Sequence, residues 1–290
     1  MSAQTKIEEK PTLGVIAGGG ALPLKLLEAC DRKGIIPFVV GFEGQTNPET
    51  VRGRYHLWTP LGAAGQIIQT LKAHGIKEIV LIGSVRRPSL DELRPDWKTA
   101  RLLTRIGFSA LGDDGLLKGL HKELTRQGFT IRGVQDFIDD LLASHGNYAS
   151  RKPDRKDWPD IEKGCSVVKR LGHLDIGQAC IVQRGLVLGV EAVEGTDRLI
   201  QRCGELKRDG AGGILVKLSK PGQEKNLDLP TIGPETISQI QKAGLHGVVI
   251  EAGRTILVDP QETAYLADKA GIFLSCLDLD DDGQILNKPD

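Results

Sequence analysis

The chain has 290 residues, with 38 Lys plus Arg against 38 Asp plus Glu, and this balance argues against a dedicated nucleic-acid binder. A hydrophobic content of 40% is enough to fill two cores, and no apolar run approaches the roughly 18 residues that a spanning helix needs. The charged start, residues 1–11, is unlike a secretion signal, and the five cysteines (Cys30, Cys165, Cys180, Cys203, Cys276) form no CxxC, so a cytoplasmic protein without disulfides or a zinc site is expected.

The first half alternates strand and helix. Leu13 to Ala17 is an apolar run ending in Gly18-Gly19-Gly20, and Leu22 to Cys30 then carries apolar residues at helical spacing until Gly34. Ile35 to Val40 repeats the strand signal. Ala63 to His74 is a second amphipathic helix closed by Gly75, and Glu78 to Ile82 is a third apolar strand ending at Gly83-Ser84. Gly112-Asp113-Asp114 opens a helix running through Gln127, and Phe129 to Gly133 returns as a strand. Strands separated by helices imply parallel pairing, so residues 1–145 are expected to form a Rossmann-like nucleotide-binding domain.

Residues 146–163 are dense in charge and proline and lack apolar periodicity, which reads as the interdomain connection. Residues 164–290 have a different rhythm. Ala179 to Gln183 and Leu186 to Ala192 flank Arg184-Gly185 as a hairpin, and Ile214 to Leu218, Val248 to Glu251 and Thr255 to Val258 also read as strands. Helices are expected over Thr196 to Leu206, with Thr196 as cap, and over Pro234 to Ala243, closed by Gly244. The expected architecture is α/β in two domains, the second an α+β catalytic domain with a mixed sheet.

Gly18, Gly19 and Gly20 leave backbone N–H groups bare at a helix start, the physical recipe for holding phosphate, although a turn that merely packs the helix gives the same pattern. A dinucleotide fingerprint would want Gly or Ala where the chain has Pro23, while Glu43 lies near the distance expected of a ribose-binding acid. Gly83, Ser84, Arg86 and Arg87 follow a strand, where two guanidiniums suit a diphosphate unless they are simply solvated. Asp113 and Asp114 suit a divalent ion or a ribose, or else helix capping.

Glu191, Glu194 and Asp197 crowd around Gly195-Thr196, and three carboxylates so close repel unless a cation or a helix end offsets them. In Ile214 to Lys220, period two puts Ile214, Val216 and Leu218 on one face, Lys217 on the other and Lys220 at the exit, so both lysines can steer phosphates. Asp228 sits between Leu227 and Leu229 in a segment that Pro230 keeps from helix, and an acid so flanked is either paired or functional. Asp228 is the first choice for holding a cation or orienting water.

IAGGGALP (Ile16 to Pro23), GSVRRP (Gly83 to Pro88), GDD (Gly112 to Asp114), DIGQ (Asp175 to Gln178), GLVLGVEAVEGTD (Gly185 to Asp197), DLPTIG (Asp228 to Gly233) and EAGRTILVD (Glu251 to Asp259) together resemble the LpxI family of UDP-2,3-diacylglucosamine pyrophosphatases. The EGTD and DLPTIG blocks are the more specific. The resemblance implies a magnesium-dependent hydrolase of lipid A biosynthesis that gives lipid X and UMP, with water attacking the phosphorus attached to the sugar. It also implies a homodimer, a lipid-linked UDP-sugar as substrate and Asp228 as the essential carboxylate. Glu191 joins Asp228 as a candidate metal donor, and Gln178 and Thr231 join the substrate contacts. The family often has Asn where Ser84 stands. A bilayer-borne substrate and a chain without a span lead to transient, peripheral contact with the inner membrane. Two rivals are a Rossmann-type NAD(P)-dependent oxidoreductase that uses Glu43 on the ribose and a non-catalytic UDP-sugar-binding regulator.

Overall fold

The computed structural model describes residues 10–61, 63–85, 121–221 and 229–289. The chain divides into two compact units, with the boundary between Asp139 and Asp140.

In the first unit, β1 (Leu13–Ala17) is buried along its whole length, as a strand covered on both faces must be. Next comes α1 (Leu22–Arg32). Pro23 sits in its first turn, where a missing N–H costs nothing, and Leu26, Leu27, Ala29 and Cys30 are buried. There follow β2 (Pro37–Phe42), β3 (Tyr55–Thr59), α2 (Ala64–Ala73), β4 (Glu78–Ile82) and β5 (Thr130–Ile131). The five strands pair in the order β3-β2-β1-β4-β5, all parallel, so the expected Rossmann-like sheet is present. β3 escaped the reading of the sequence because only Thr59 in it is fully buried, which denies it an apolar run. Of the helix expected from Gly112 through Gln127, residues 121–126 are described and are helical.

The second unit begins with β6 (Gly146–Asn147) and α3 (Trp158–His173), both of which take up residues expected to be connection. The charge and proline that suggested a linker are a helix start: Pro159 occupies the first turn of α3 and Asp160 lies beside the positive helix end. Then come β7 (Ala179–Gln183), β8 (Leu186–Val190), α4 (Thr196–Leu206), β9 (Ile214–Lys217), β10 (Thr231–Ile232), α5 (Pro234–Ala243), β11 (Gly247–Glu251), β12 (Ile256–Leu257), α6 (Pro260–Ala270), β13 (Phe273–Leu279) and β14 (Ile285–Asn287). The main sheet runs β14-β13-β11-β9-β7-β8, with β6 also pairing β13. β13, β11 and β9 are mutually parallel, and the remaining pairs are antiparallel, so the sheet is mixed as expected.

Period two divides this sheet into its faces. Ile214, Val216 and Leu218 pack with Ile161, Cys165 and Val168 of α3. Leu215 packs on the other side with Leu199, Ile200 and Cys203 of α4 and with Ile237 and Ile240 of α5. The β7–β8 hairpin turns through Arg184 and Gly185, both at positive φ (51° and 78°), as a two-residue turn between twisted strands requires. Asp160 fixes that turn from α3: its two carboxylate oxygens accept the N–H groups of Arg184 and Gly185 at 2.5 and 2.6 Å.

Candidate functional site

Two groups of the expected residues are described, one in each unit. In the first unit, the strand order reverses at β1, so the carboxyl ends of β1 and β4 form the switch point where open α/β sheets bind ligands. Gly18 to Gly20 and Gly83-Ser84 lie there, but two of the three glycine amides are not bare. Gly18 N–H donates to the Ile82 carbonyl at 2.8 Å, and Gly19 N–H donates to the Ser84 carbonyl at 2.7 Å, with Ser84 N–H returning to the Gly19 carbonyl at 3.0 Å. The glycines serve the close approach of these two turns. A Cβ on Gly18 would collide with the Ser84 carbonyl, and one on Gly83, at φ 92°, would stand 2.6 Å from the Gly19 oxygen. Glu43 is exposed just past the end of β2. Arg86, Arg87, Asp113 and Asp114 lie outside the described residues, and so does Asp228.

The second unit gathers most of the rest on one sheet edge. Register sets Lys217 of β9 beside Ala179 of β7 and Ile250 of β11, so the exits of β9 and β11 and the start of β7 share an end of the sheet. Glu191, just past β8, joins them because its N–H donates to the Ala179 carbonyl at 2.8 Å. Glu191 is buried. Its Oε2 accepts Gln178 N–H at 3.0 Å, and its Oε1 accepts the Thr196 hydroxyl at 2.6 Å. Thr196 therefore does not cap α4 as expected: Gly195, at φ 79°, holds the cap position, and the threonine hydroxyl turns to the carboxylate. Gly177 makes this approach possible, since any Cβ there would collide with the Glu191 carbonyl.

Lys217 and Lys220 are 8% and 9% exposed, which is unusual for lysine. Lys217 Nζ donates to the Thr231 carbonyl at 3.1 Å, and Lys220 Nζ pairs with Asp175 Oδ1 at 2.6 Å. The Leu218 N–H donates to the Gln178 carbonyl at 3.0 Å, so Gln178, Glu191, Thr196, Lys217, Lys220 and Thr231 form one continuous edge. Two expected acids point elsewhere. Glu194 pairs with Arg202 of α4 at 2.7 Å; burial pushes its carboxyl up, but backbone N–H groups and Arg202 outweigh that and hold it below the ordinary range. Asp197 is exposed in the first turn of α4.

Behind the edge stands a group that the sequence reading passed over. Lys169 of α3, whose side chain is 1% exposed, bonds both carboxylate oxygens of Glu251 at 2.9 and 3.0 Å. Glu251 Oε2 also accepts Ser219 N–H at 3.0 Å and the Ser219 hydroxyl at 2.7 Å. One signal was legible: Lys169 falls on the stripe of Ile161, Cys165 and Val168, where a charge needs a partner. A polar cavity of about 580 Å³ opens beside α3, against the β13–β14 turn, and Lys169, Arg170, His173, Gln284 and Lys288 are among its lining residues.

Magnesium takes oxygen donors, and Glu191 supplies them chemically: each of its oxygens accepts one of the two named bonds and retains a lone pair. Among the described residues, no group of three or more His, Cys, Asp or Glu is placed to hold a metal ion, and none of the described helices is long and apolar enough to cross a membrane.

Comparisons with known proteins give one consistent result. The family model described as LpxI N-terminal domain matches residues 12–141, and that described as LpxI C-terminal domain matches residues 144–275. A curated protein of Caulobacter vibrioides, UDP-2,3-diacylglucosamine pyrophosphatase LpxI, is 36% identical over 274 residues, covering 92% of this chain and 97% of the relative. Among solved structures, the biotin carboxylase domain of Hydrogenobacter thermophilus 2-oxoglutarate carboxylase aligns at 13% identity and a TM-score of 0.24, over 68% of this chain and 41% of that one. Another, the biotin carboxylase domain of a thermophilic 2-oxoglutarate carboxylase, aligns at 15% identity and a TM-score of 0.21, over 59% and 34%. Likeness at that level carries no argument.

Proposed function

The chain belongs to the LpxI family, and on that premise we propose that it hydrolyses the pyrophosphate bond of UDP-2,3-diacylglucosamine, giving 2,3-diacylglucosamine 1-phosphate (lipid X) and UMP in lipid A biosynthesis. The observation that carries the reading is the near full-length similarity to a curated enzyme of that name. Water adds its oxygen to the phosphorus attached to the sugar, the bond to the bridging oxygen breaks, and UMP leaves with that oxygen.

The sheet edge of the second unit supports the reading chemically. A diphosphate needs cations in a site with little water, and Lys217 and Lys220 are two buried ammonium groups on one edge, where charge attracts more strongly than in bulk solvent. Asp228 precedes β10, whose Thr231 carbonyl is bonded to Lys217, and it is the proposed essential carboxylate. The proposed ion is magnesium, with Asp228 and Glu191 as its protein donors; when bound it neutralises phosphate oxygens. Gly20, Ser84, Arg86 and Arg87 are the proposed nucleotide contacts in the first unit. Gln178 and Thr231 are proposed to line the substrate's path. Homodimer formation and transient contact with the inner-membrane surface complete the proposal; the second follows from a substrate with two acyl chains.

The test is UMP release from UDP-2,3-diacylglucosamine with magnesium, comparing the parent with Asp228→Ala. Near-parental turnover by the variant removes Asp228 from the reaction, and no release by the parent removes the reaction itself. The dinucleotide alternative is disfavoured because the amides of Gly18 and Gly19 are already bonded to backbone.

A further inference from the structure

We infer that Lys169 is a positioning residue for the reaction proposed above: acting through Glu251 and Ser219, it fixes the turn that carries Lys220 and follows Lys217 at the sheet edge. The chain of contacts is short and closed. Lys169 Nζ holds both oxygens of Glu251 at 2.9 and 3.0 Å and approaches the Ser219 carbonyl at 3.4 Å. Glu251 Oε2 in turn takes both the N–H and the hydroxyl of Ser219, at 3.0 and 2.7 Å. Ser219 is itself 2% exposed and stands directly before Lys220.

The same face of α3 presses on this turn a second time. Gly172 lies one helical turn beyond Lys169, and a Cβ there would stand 3.2 Å from Lys220 Cα and 2.8 Å from Pro221 Cδ. The backbone of the turn is therefore held from beneath, while the ammonium groups of Lys217 and Lys220 reach Thr231 and Asp175.

Stability alone does not call for this arrangement. Burying an ammonium and a carboxylate costs desolvation that an apolar pair of similar volume avoids, and such replacements are often neutral or stabilising. What an apolar pair cannot do is aim: the carboxylate sets the direction of two Ser219 bonds, and so sets where the next residue leaves the sheet. Arg254 Nε, 3.7 Å from Glu251 Oε1, adds a second cation on the same carboxylate.

The experiment uses the full chain with Lys169→Met, Lys169→Arg and the double replacement Lys169→Met with Glu251→Leu. Turnover, KM, Tm and peptide hydrogen exchange are measured on each. The double variant also takes the acceptor from the buried Ser219 N–H and hydroxyl, so it is expected to fold with a modestly lowered Tm and to lose roughly 10²-fold in kcat, as misplaced binding groups do. Lys169→Arg restores kcat to within about tenfold of the parent, because it keeps a cation on Glu251. In the double variant, exchange over residues 214–221 rises while exchange over α6 is unchanged. A double variant with parental kcat and parental exchange over 214–221 overturns the inference and leaves Lys169 as packing. If the parent itself releases no UMP, the proposed reaction fails, and the exchange comparison still decides whether Lys169 holds the turn.

Discussion

The Thr196 hydroxyl donates to Glu191 Oε1 at 2.6 Å, and this single bond joins the start of α4 to the sheet edge that carries Lys217 and Lys220. The other oxygen of Glu191 accepts Gln178 N–H, so the EGTD and DIGQ segments meet on one buried carboxylate. Removing the hydroxyl while keeping the shape isolates the bond. Thr196→Val is expected to lower stability by about 1.5–3 kcal/mol, the usual worth of a hydrogen bond to a charged group, read as a drop in the urea midpoint. Glu191→Gln keeps an acceptor for Thr196 but loses the charge, so it is expected to raise the magnesium concentration needed for half-maximal turnover. An unchanged magnesium requirement would remove Glu191 from the metal site and leave it as the clamp between the two segments.

The glycines of the first unit divide by what surrounds them. Gly83 combines φ 92° with a Cβ position 2.6 Å from the Gly19 oxygen and 2.9 Å from Pro23 Cγ, whereas Gly34 has φ 66° and nothing within 4 Å. Gly34→Ala therefore meets backbone strain alone and is expected to cost about 1 kcal/mol. Gly83→Ala meets strain and overlap with backbone, and about 3 kcal/mol is expected from the two together. Thermal melts of the two variants check the order; equal costs would show that the Gly19–Ser84 bridge yields freely.

Asp31 supplies a pH dependence whose sign is fixed. Arg54 donates to both of its oxygens, at 2.7 and 2.5 Å, and these bonds hold the Asp31 carboxyl below the ordinary range. A folded-state pKa below the unfolded one means that the contribution is present above the unfolded value, near 4, and is lost as pH falls through the folded value. Asp31 is half exposed, with a side-chain exposure of 53%, so the contribution is at most about 1 kcal/mol. Glu194, held down beside Arg202, acts with the same sign. Urea midpoints between pH 6 and pH 3 should fall less steeply for Asp31→Asn than for the parent; parallel curves would mean that the pair persists in the unfolded chain.

What the sequence discloses and what it hides separate by distance along the chain. Ile214, Val216 and Leu218 announce their shared face because period two is local, and Pro234 with Gly244 marks both ends of α5 for the same reason. Lys169 and Glu251 are 82 residues apart, and no local period links a helix lysine to the acid at the end of a strand. The Gly19–Ser84 bridge is likewise long-range in sequence, so glycine amides that look bare along the chain are found bonded across the sheet end. Residues 146–163 misled for another reason: proline and charge are as natural in a helix's first turn as in a linker, and α3 starts inside that stretch. Lys217 and Lys220 are legible from the period and exit of one strand and Glu191 from its crowded acids, whereas Gln178 and Thr231 are named only through the family resemblance. That Gln178, Glu191 and Lys217 meet follows from the antiparallel placement of β7 between β8 and β9, and Thr231, on the separate β10–β12 pair, joins them through its carbonyl on Lys217.

The two buried lysines carry the sharpest prediction about substrate. Methionine matches the lysine stem closely and removes the ammonium, so Lys217→Met and Lys220→Met should fold, and Tm checks that they do. Each is expected to lower kcat/KM for UDP-2,3-diacylglucosamine roughly 10²-fold, the usual loss on removing one charge-stabilising donor from a shielded site. Asp175 separates the roles of charge and aim. It pairs with Lys220 at 2.6 Å and sits at φ 53°, a conformation asparagine also tolerates, so Asp175→Asn leaves the backbone and the ammonium in place and removes only the partner charge. If Lys220 works through its charge, Asp175→Asn keeps kcat/KM within about tenfold of the parent while Lys220→Met does not. Equal losses for the two variants would show that the pair, rather than the ammonium, is what the reaction needs. A Lys220→Met protein within twofold of the parent would move the diphosphate away from this edge.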